Sequence, residues 1–337
     1  MKYYYILNPA SGKNALKNDI LVDIRDAARK LDVEFDVYFT KAPGDAKRFV
    51  REICESHAKP LTDEVLPDDV PADFVLEETR ICEPIRIIGC GGDGTVNELV
   101  NGAYGFKNVE LGIIPQGTGN DYIRNFGDPK DFLNVENLMR GESRDSDLIE
   151  YVADYNGEIT HGFCANMFNI GFDCNVVDMT NTVKNWPLFN GSIAYLASVF
   201  IVLAKKKETS LLIEYGDGTV YNGNVLLISV ANGCFCGGGI KGVPRSILDD
   251  GLMDVSLVRG GVTRNTFVRL FPKYQKGTHL EDSRIEKIID YRQEKTLTIT
   301  ANDEHLRLCV DGEISTQKKV EFNVVPRAIR FIVPKGL

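Results

Sequence analysis

Apolar and polar positions along the first 115 residues switch repeatedly between two periods. Tyr3–Leu7 is a short apolar run ended by Asn8-Pro9-Ala10-Ser11-Gly12, and from Ala15 to Leu31 the apolar residues Leu16, Ile20, Ile24, Ala27, Ala28 and Leu31 recur at helical spacing. This predicts strand, turn, helix. Val33–Phe39 alternates as a strand, Gly44–Cys54 reads as a helix, Ile85–Ile88 as a buried strand, Thr95–Ala103 as a helix and Val109–Ile114 as a strand closed by Pro115. Strands that alternate with helices imply a parallel sheet with right-handed crossovers and ligands at the carboxyl ends of the strands.

From about Ser143 the pattern becomes short alternating runs separated by Gly and Asn turns: Leu148–Tyr155, Leu211–Tyr215, Val225–Ala231, Met253–Val258, Thr296–Thr300, Leu306–Val310 and Val320–Val325. Many short strands predict an antiparallel sandwich or barrel. Two helices, Cys174–Lys184 and Ser192–Lys206, are expected to interrupt it. The expected division is an α/β domain over 1–142, to which the tail 328–337 returns, and a β-rich, sandwich-like domain over 143–327.

At 337 residues the chain is long enough for two cores, and with 43% hydrophobic and 26% charged residues it is an ordinary globular composition. Its net charge of −9 argues against a broad nucleic-acid-binding surface. Much of that charge is local, because Leu61–Glu78 holds seven acidic residues and no Lys or Arg, which reads as a solvated insertion. The eight cysteines are scattered and are read as reduced. Cys234 and Cys236 lack the spacing and the second pair of a zinc site. The N-terminus has no long apolar region of a signal peptide, and the longest apolar run, Ile193–Ala204, is too short to span a bilayer.

The most specific feature is Gly89-Cys90-Gly91-Gly92-Asp93-Gly94-Thr95-Val96-Asn97-Glu98, between a strand and a helix. Residues 89–94 satisfy G-x-G-x-x-G, but the acid that should end the next strand of a dinucleotide fold is missing, since Glu110 begins that strand instead. A Walker loop fails because Thr95 stands where lysine belongs. Common to all such loops are close backbone approach, amides aimed at phosphate oxygens and the positive end of a helix. Asn8-Pro9-Ala10-Ser11-Gly12-Lys13 and Pro115-Gln116-Gly117-Thr118-Gly119-Asn120-Asp121 follow the first and fourth strands, and Thr40 the second, so all lie at one sheet edge. Lys13 is the cation available there as a phosphate counter-charge, or else a solvated loop lysine.

GGDGTVNE, preceded by NPASGK and followed by GTGNDYIR, resembles the diacylglycerol kinase catalytic domain, within the lipid kinases that include bacterial diacylglycerol kinases and sphingosine kinases. The resemblance continues through Asn169-Ile170-Gly171-Phe172-Asp173, Ala231-Asn232-Gly233, Gly237-Gly238-Gly239, Leu248-Asp249-Asp250-Gly251 and Asp311-Gly312-Glu313. It implies a two-domain lipid kinase with ATP in the interdomain cleft, contacted by Asn8, Ser11, Gly12, Lys13, Thr40, Gly91, Gly92, Asp93, Gly94, Thr95, Val96, Asn97 and Thr118. Asp93 would serve catalytic Mg²⁺, directly or through water, or act as a base. Glu313 or Asp311 would accept the proton of the substrate hydroxyl, although Asp-Gly is equally a hairpin signal. A second, structural Mg²⁺ is implied at Asp250 with the carbonyls of Ile247 and Leu252, where an unliganded turn would use the same residues.

The implied activity is ATP-dependent phosphorylation of a lipid hydroxyl, diacylglycerol giving phosphatidic acid. The alternatives are a kinase of sphingoid bases or other lipid alcohols, an NAD kinase, and a non-catalytic nucleotide-binding module. Phe163, Met167, Phe168, Trp186, Phe189 and Phe235 are candidates for a lipid pocket or for core packing. A cytoplasmic protein with a lipid substrate is expected, peripheral contact with the inner face of a membrane and a homodimer being open, with no nucleic-acid partner. The 193–204 helix with Lys205, Lys206 and Lys207 is one candidate for that contact.

Overall fold

The computed structural model describes residues 1–9, 11, 16–57, 59–60, 84–171, 208–285 and 287–337. The acidic stretch 61–78, the helices expected at 174–184 and 192–206, Gly12, Lys13, Trp186 and Phe189 lie outside the described residues.

Strands β1 (Lys2–Leu7), β2 (Phe35–Phe39), β3 (Ile85–Gly91) and β4 (Val109–Pro115) form a parallel sheet in the order β2-β1-β3-β4. β3 and β4 are buried along their whole length, as continuous apolar runs must be when both sheet faces are covered. The cover comes from α1 (Leu16–Leu31), α2 (Asp45–His57) and α3 (Asp93–Ala103), which turn Ile24, Val50, Leu99 and Val100 inward. Gly102 lets α3 seat on α2: a Cβ there would lie 2.7 Å from the Lys47 carbonyl oxygen. The short helix α4 (Val135–Met139) follows, and a two-residue pair joins 59–60 to 106–107.

The second half is antiparallel: β5 (Glu142–Tyr155), β6 (Glu158–Cys164), β7 (Met167–Gly171), β8 (Thr209–Tyr215), β9 (Val220–Ala231), β10 (Met253–Arg259), β11 (Ile289–Glu294), β12 (Thr296–Ala301), β13 (Leu306–Val310), β14 (Glu313–Gln317) and β15 (Lys319–Val333). The hydrogen-bonded path runs β14-β13-β7-β9-β8-β12-β15-β4-β3-β1-β2, so both halves share one sheet. β15 makes the join. Its first part pairs antiparallel with β12, its last part pairs parallel with β4 through Arg330↔Glu110 and Phe331↔Leu111, and β5 runs beside it throughout. Val320 and Phe322 enter the core built around Ile149, Phe168, Ile228 and Ile299, whereas Ile329, Phe331 and Ile332 enter the core of the first sheet. Between them the register with β5 shifts, Arg327 takes φ +48°, and its N–H donates to buried Asp147 Oδ1 at 2.6 Å.

The parallel α/β half and the β-rich half agree with the sequence pattern. Not anticipated were β6, β7, β11, β14 and α5 (Arg264–Lys276), a helix whose apolar periodicity is interrupted by Pro272 and basic residues.

Candidate active site

The loops after β1, β2, β3 and β4 are stitched together at the carboxyl edge. Asn8 N–H donates to the Cys90 carbonyl (3.1 Å), Thr40 N–H to the Leu7 carbonyl (2.9 Å) and Gln116 N–H to the Gly91 carbonyl (2.7 Å). Ser11 N–H closes the first loop on the Asn8 carbonyl. Larger residues would not fit at two of the glycines, since a Cβ on Gly117 would lie 2.6 Å from the Gly92 Cα, and one on Gly91 2.0 Å from Thr95 Oγ1. Gly92 caps α3 without a side-chain bond, and nothing lies within 4 Å of a Cβ placed at Gly94. The first turn of α3 therefore offers backbone amides to an anion. Thr118 is exposed at the mouth of its loop.

Not every predicted nucleotide contact presents its side chain. Val96 is core and Thr95 is buried over Gly91, so only their main chains face the loop side. Asn97 Nδ2 is committed to Asp311 Oδ2 (3.2 Å) and the Phe163 carbonyl (3.3 Å). One turn on, Asn101 exchanges hydrogen bonds with the Phe163 backbone, so one face of α3 holds the end of β6. Glu98 accepts the Gly44, Ala46 and Lys47 amides and caps α2 from outside that helix.

Three aspartates gather from three loops. Asp93 Oδ1 accepts the Asp121 and Tyr122 amides at 2.7 and 3.2 Å, and burial pushes its carboxyl upward against those bonds. Asp121 accepts the Gly238 and Gly239 amides, the latter at 2.7 Å, which ties the loop after β4 to the second half. Burial, then the charge of Asp93, pushes Asp121 up to about 6. Asp311 is held by Asn97, the Cys164 thiol (3.3 Å to each oxygen) and the Met167 amide (3.3 Å); it too is pushed up to about 6, by burial first, with the Asp93 charge adding to it.

Asp311-Gly312 is the two-residue turn of the β13–β14 hairpin, both φ values being positive (+46° and +98°). The turn and the site coincide. Glu313 opens β14 opposite Val310 and is exposed, its carboxylate making no hydrogen bond or ion pair among the described residues.

Asp93 and Asp121, the latter 3.6 Å from Arg124, both face Gly119. A Cβ on Gly119 would lie 2.9 Å from Asp93 Oδ2 and 3.0 Å from Asp121 Oδ2, so the missing side chain leaves a cradle between two carboxylates. Among the described residues no three His, Cys, Asp or Glu side chains converge to enclose a metal. Two carboxylates completed by water and phosphate oxygens suit Mg²⁺, which keeps several waters. At the other predicted metal position, Asp250 is exposed and accepts the Leu252 amide at 3.0 Å in a turn that Asp147 clamps through the Gly251 amide (2.6 Å); Ile247 is exposed on the same loop. Glu110 lies at the opposite sheet edge, paired with Arg86 at 2.7 Å, and cannot reach a ribose.

Asp121, Cys164 and Asp147 had no predicted role. Asp121 was visible as the acid ending GTGND, whereas the neighbours of Cys164 and Asp147 come from strands far away in sequence.

The sequence profile described as "Diacylglycerol kinase catalytic domain" matches residues 2–63 and 69–151, and "YegS C-terminal NAD kinase beta sandwich-like domain" matches 166–333. The chain belongs to the diacylglycerol kinase family. It is 27% identical to a diacylglycerol kinase of Bacillus subtilis (strain 168), over 98% of this chain and 95% of that one. It is 26% identical to a diacylglycerol kinase of Staphylococcus carnosus (strain TM300), with the same coverage. A crystal structure of a diacylglycerol kinase from Bacillus anthracis (strain Sterne) shares the fold with a TM-score of 0.67 at 21% identity, over 99% of this chain and 97% of that one. Members of this family are phosphotransferases with an alcohol acceptor.

Proposed function

We propose that this chain transfers the γ-phosphoryl group of ATP to the hydroxyl of diacylglycerol, giving phosphatidic acid, with Mg²⁺ required. The observation that carries this reading is that Asp93, at the uncapped first turn of α3, lies within electrostatic reach of both Asp121 and, from the second half of the molecule, Asp311. Phosphoryl transfer asks for alignment, charge neutralisation and a group to take the hydroxyl proton. Amides of the Gly91–Asn97 run, with Asn8, Ser11, Thr40 and Thr118 around them, would seat the triphosphate; Gly12 and Lys13 belong to the same motif. Asp93, with Asp121 across the Gly119 cradle, would hold Mg²⁺, which supplies neutralisation of the phosphate charge.

Glu313 is assigned as the base. The oxygens of Asp311 are occupied by Asn97, Cys164 and Met167, while Glu313, two residues on in the same hairpin, is exposed and its carboxylate has no partner among the described residues. Asp311 fixes the hairpin that carries Glu313 and adds negative potential near the transferred proton. Ile329, Phe331 and Ile332 in the first core support the return of the tail 328–337 to the first domain, whose proposed boundary at 142/143 is crossed by Leu148, Phe163 and Ala165. The Asp250 turn would hold a structural Mg²⁺ with the Ile247 and Leu252 carbonyls. Among the described residues no helix is long and apolar enough to cross a membrane. A lipid acceptor would be met at the periphery of a membrane.

Labelled ATP with Mg²⁺, offered a panel of lipid alcohols in mixed micelles and, separately, NAD, tests the reading. Label in diacylglycerol is expected. Transfer to a sphingoid base would move the assignment within the lipid kinases, and transfer to NAD alone would overturn it.

A further inference from the structure

No acidic residue occurs between Asp254 and Glu281, a stretch holding Arg259, Arg264, Arg269, Lys273 and Lys276 in a chain of net charge −9. Most of it is α5, capped by Thr263, whose hydroxyl accepts the Thr266 amide at 3.2 Å, and ended by left-handed Gly277. Phe267, Leu270, Phe271 and Tyr274 pack inward against Leu226, Leu227, Val258, Ile285 and Ile289, yet no α5 residue is fully buried. Arg264, Val268, Pro272 and Lys276, each four residues apart, form one ridge on the outer side with Arg269 beside it, all exposed. Val268 is 49% exposed. Lys273 is paired with Asp282 at 2.7 Å, whereas Arg269 and Lys276 have no acidic partner among the described residues.

Apolar residues set beside exposed cations such as Arg269 and Lys276 on an outward helix face are what a helix lying on an anionic bilayer presents. The ridge is also close to the site. Lys241 N–H donates to the Gln275 carbonyl at 3.1 Å near the end of α5, and from Lys241 the chain leads back to the Gly239 and Gly238 amides on Asp121. A nucleic acid would ask for a broader positive surface than this acidic chain offers.

We propose that the outer ridge of α5 docks the enzyme on an anionic phospholipid surface, an inference that rests on the lipid-kinase reading for its biological sense. Val268 and Pro272 enter the headgroup boundary while Arg269 and Lys276 meet lipid phosphates.

The test uses the full chain without ATP, cosedimented with large vesicles of phosphatidylcholine alone or with about a third phosphatidylglycerol. Wild type is expected on the anionic vesicles only, and to leave them in 0.5 M salt. Each basic residue on such a surface contributes roughly fivefold to binding, so the Arg269→Glu/Lys276→Glu double variant should bind at least about 25-fold more weakly. Arg269→Lys should bind as wild type, and Val268→Asp should weaken binding. With a short-chain diacylglycerol dissolved as monomers, the double variant should turn over within about twofold of wild type, and lose rate only on vesicle-embedded substrate. Wild type that ignores the anionic vesicles, or a double variant that binds them unchanged, overturns the proposal. Vesicle binding through the ridge without phosphorylation of any lipid would instead count against the kinase reading. Should the double variant fold poorly, the salt dependence of wild type and the single Val268→Asp change decide the same question.

Discussion

Burial disfavours the charged form of a carboxylate, and Asp311, half-buried at its hairpin turn, lies within reach of the charge of Asp93. Its folded value of about 6, against an ordinary 3.8, means that the native state binds its proton more tightly than the unfolded chain. The contribution to stability is full below about pH 4 and is lost as pH rises through about 6, with an upper size of about 3 kcal/mol for two pH units. Asp121 acts in the same direction. Thermal unfolding of the nucleotide-free protein should therefore show a Tm that falls between pH 4 and 7, and Asp311→Asn should flatten that slope; an unchanged slope would refute the burial of a charged Asp311. The neighbouring glutamate has a different fate. Glu313→Gln should lower kcat by at least about 10²-fold, in the range of general-base groups, while leaving the Tm within a degree or two. A KM effect with an intact kcat would place the base elsewhere.

At the scale of elements, tight approach between loops matters more than any one side chain. Gly92 and Gly117 touch backbone to backbone, so Gly117→Ala must spread the loops after β3 and β4 and is expected to raise the KM for ATP at least about tenfold with little loss of stability. Isotope-label titrations of rate against ATP concentration will show it. Glu98→Ala uncaps α2 and should cost about 1–2 kcal/mol in chemical denaturation. These elements were legible because Tyr3–Leu7, Ile85–Ile88 and Val109–Ile114 are apolar without long interruption and each runs into a turn rich in glycine or proline, a local signal. α5 was not legible, since its inward residues Phe267, Leu270, Phe271 and Tyr274 are mixed with cations and Pro272. The hairpin at Asp311-Gly312 was readable as a turn, and its motif as a site; that it is both depends on Asn97 and Cys164, 214 and 147 residues away, which no local pattern reports.

For the whole molecule, Asp147 fixes the point at which β15 passes from the second half towards the first. One oxygen accepts Arg327 N–H and the other Gly251 N–H, both at 2.6 Å, while its own N–H donates to the Leu248 carbonyl. Asp147→Ala would leave two part-buried donors without their charged acceptor, and about 1–3 kcal/mol of stability should be lost, read as a drop of a few degrees in Tm. The shared sheet has a consequence for biosynthesis. β4 is covered on its outer edge by the last part of β15, through Arg330 and Phe331, so at least 330 residues must be made before that edge finds its partner. Until then the nascent chain presents an apolar strand with a row of unpaired amides and carbonyls, the kind of edge on which other chains add. A ribosome-bound chain stopped short of β15 is accordingly a client for chaperones, and release of the C-terminal strand is the step that ends its vulnerability to aggregation.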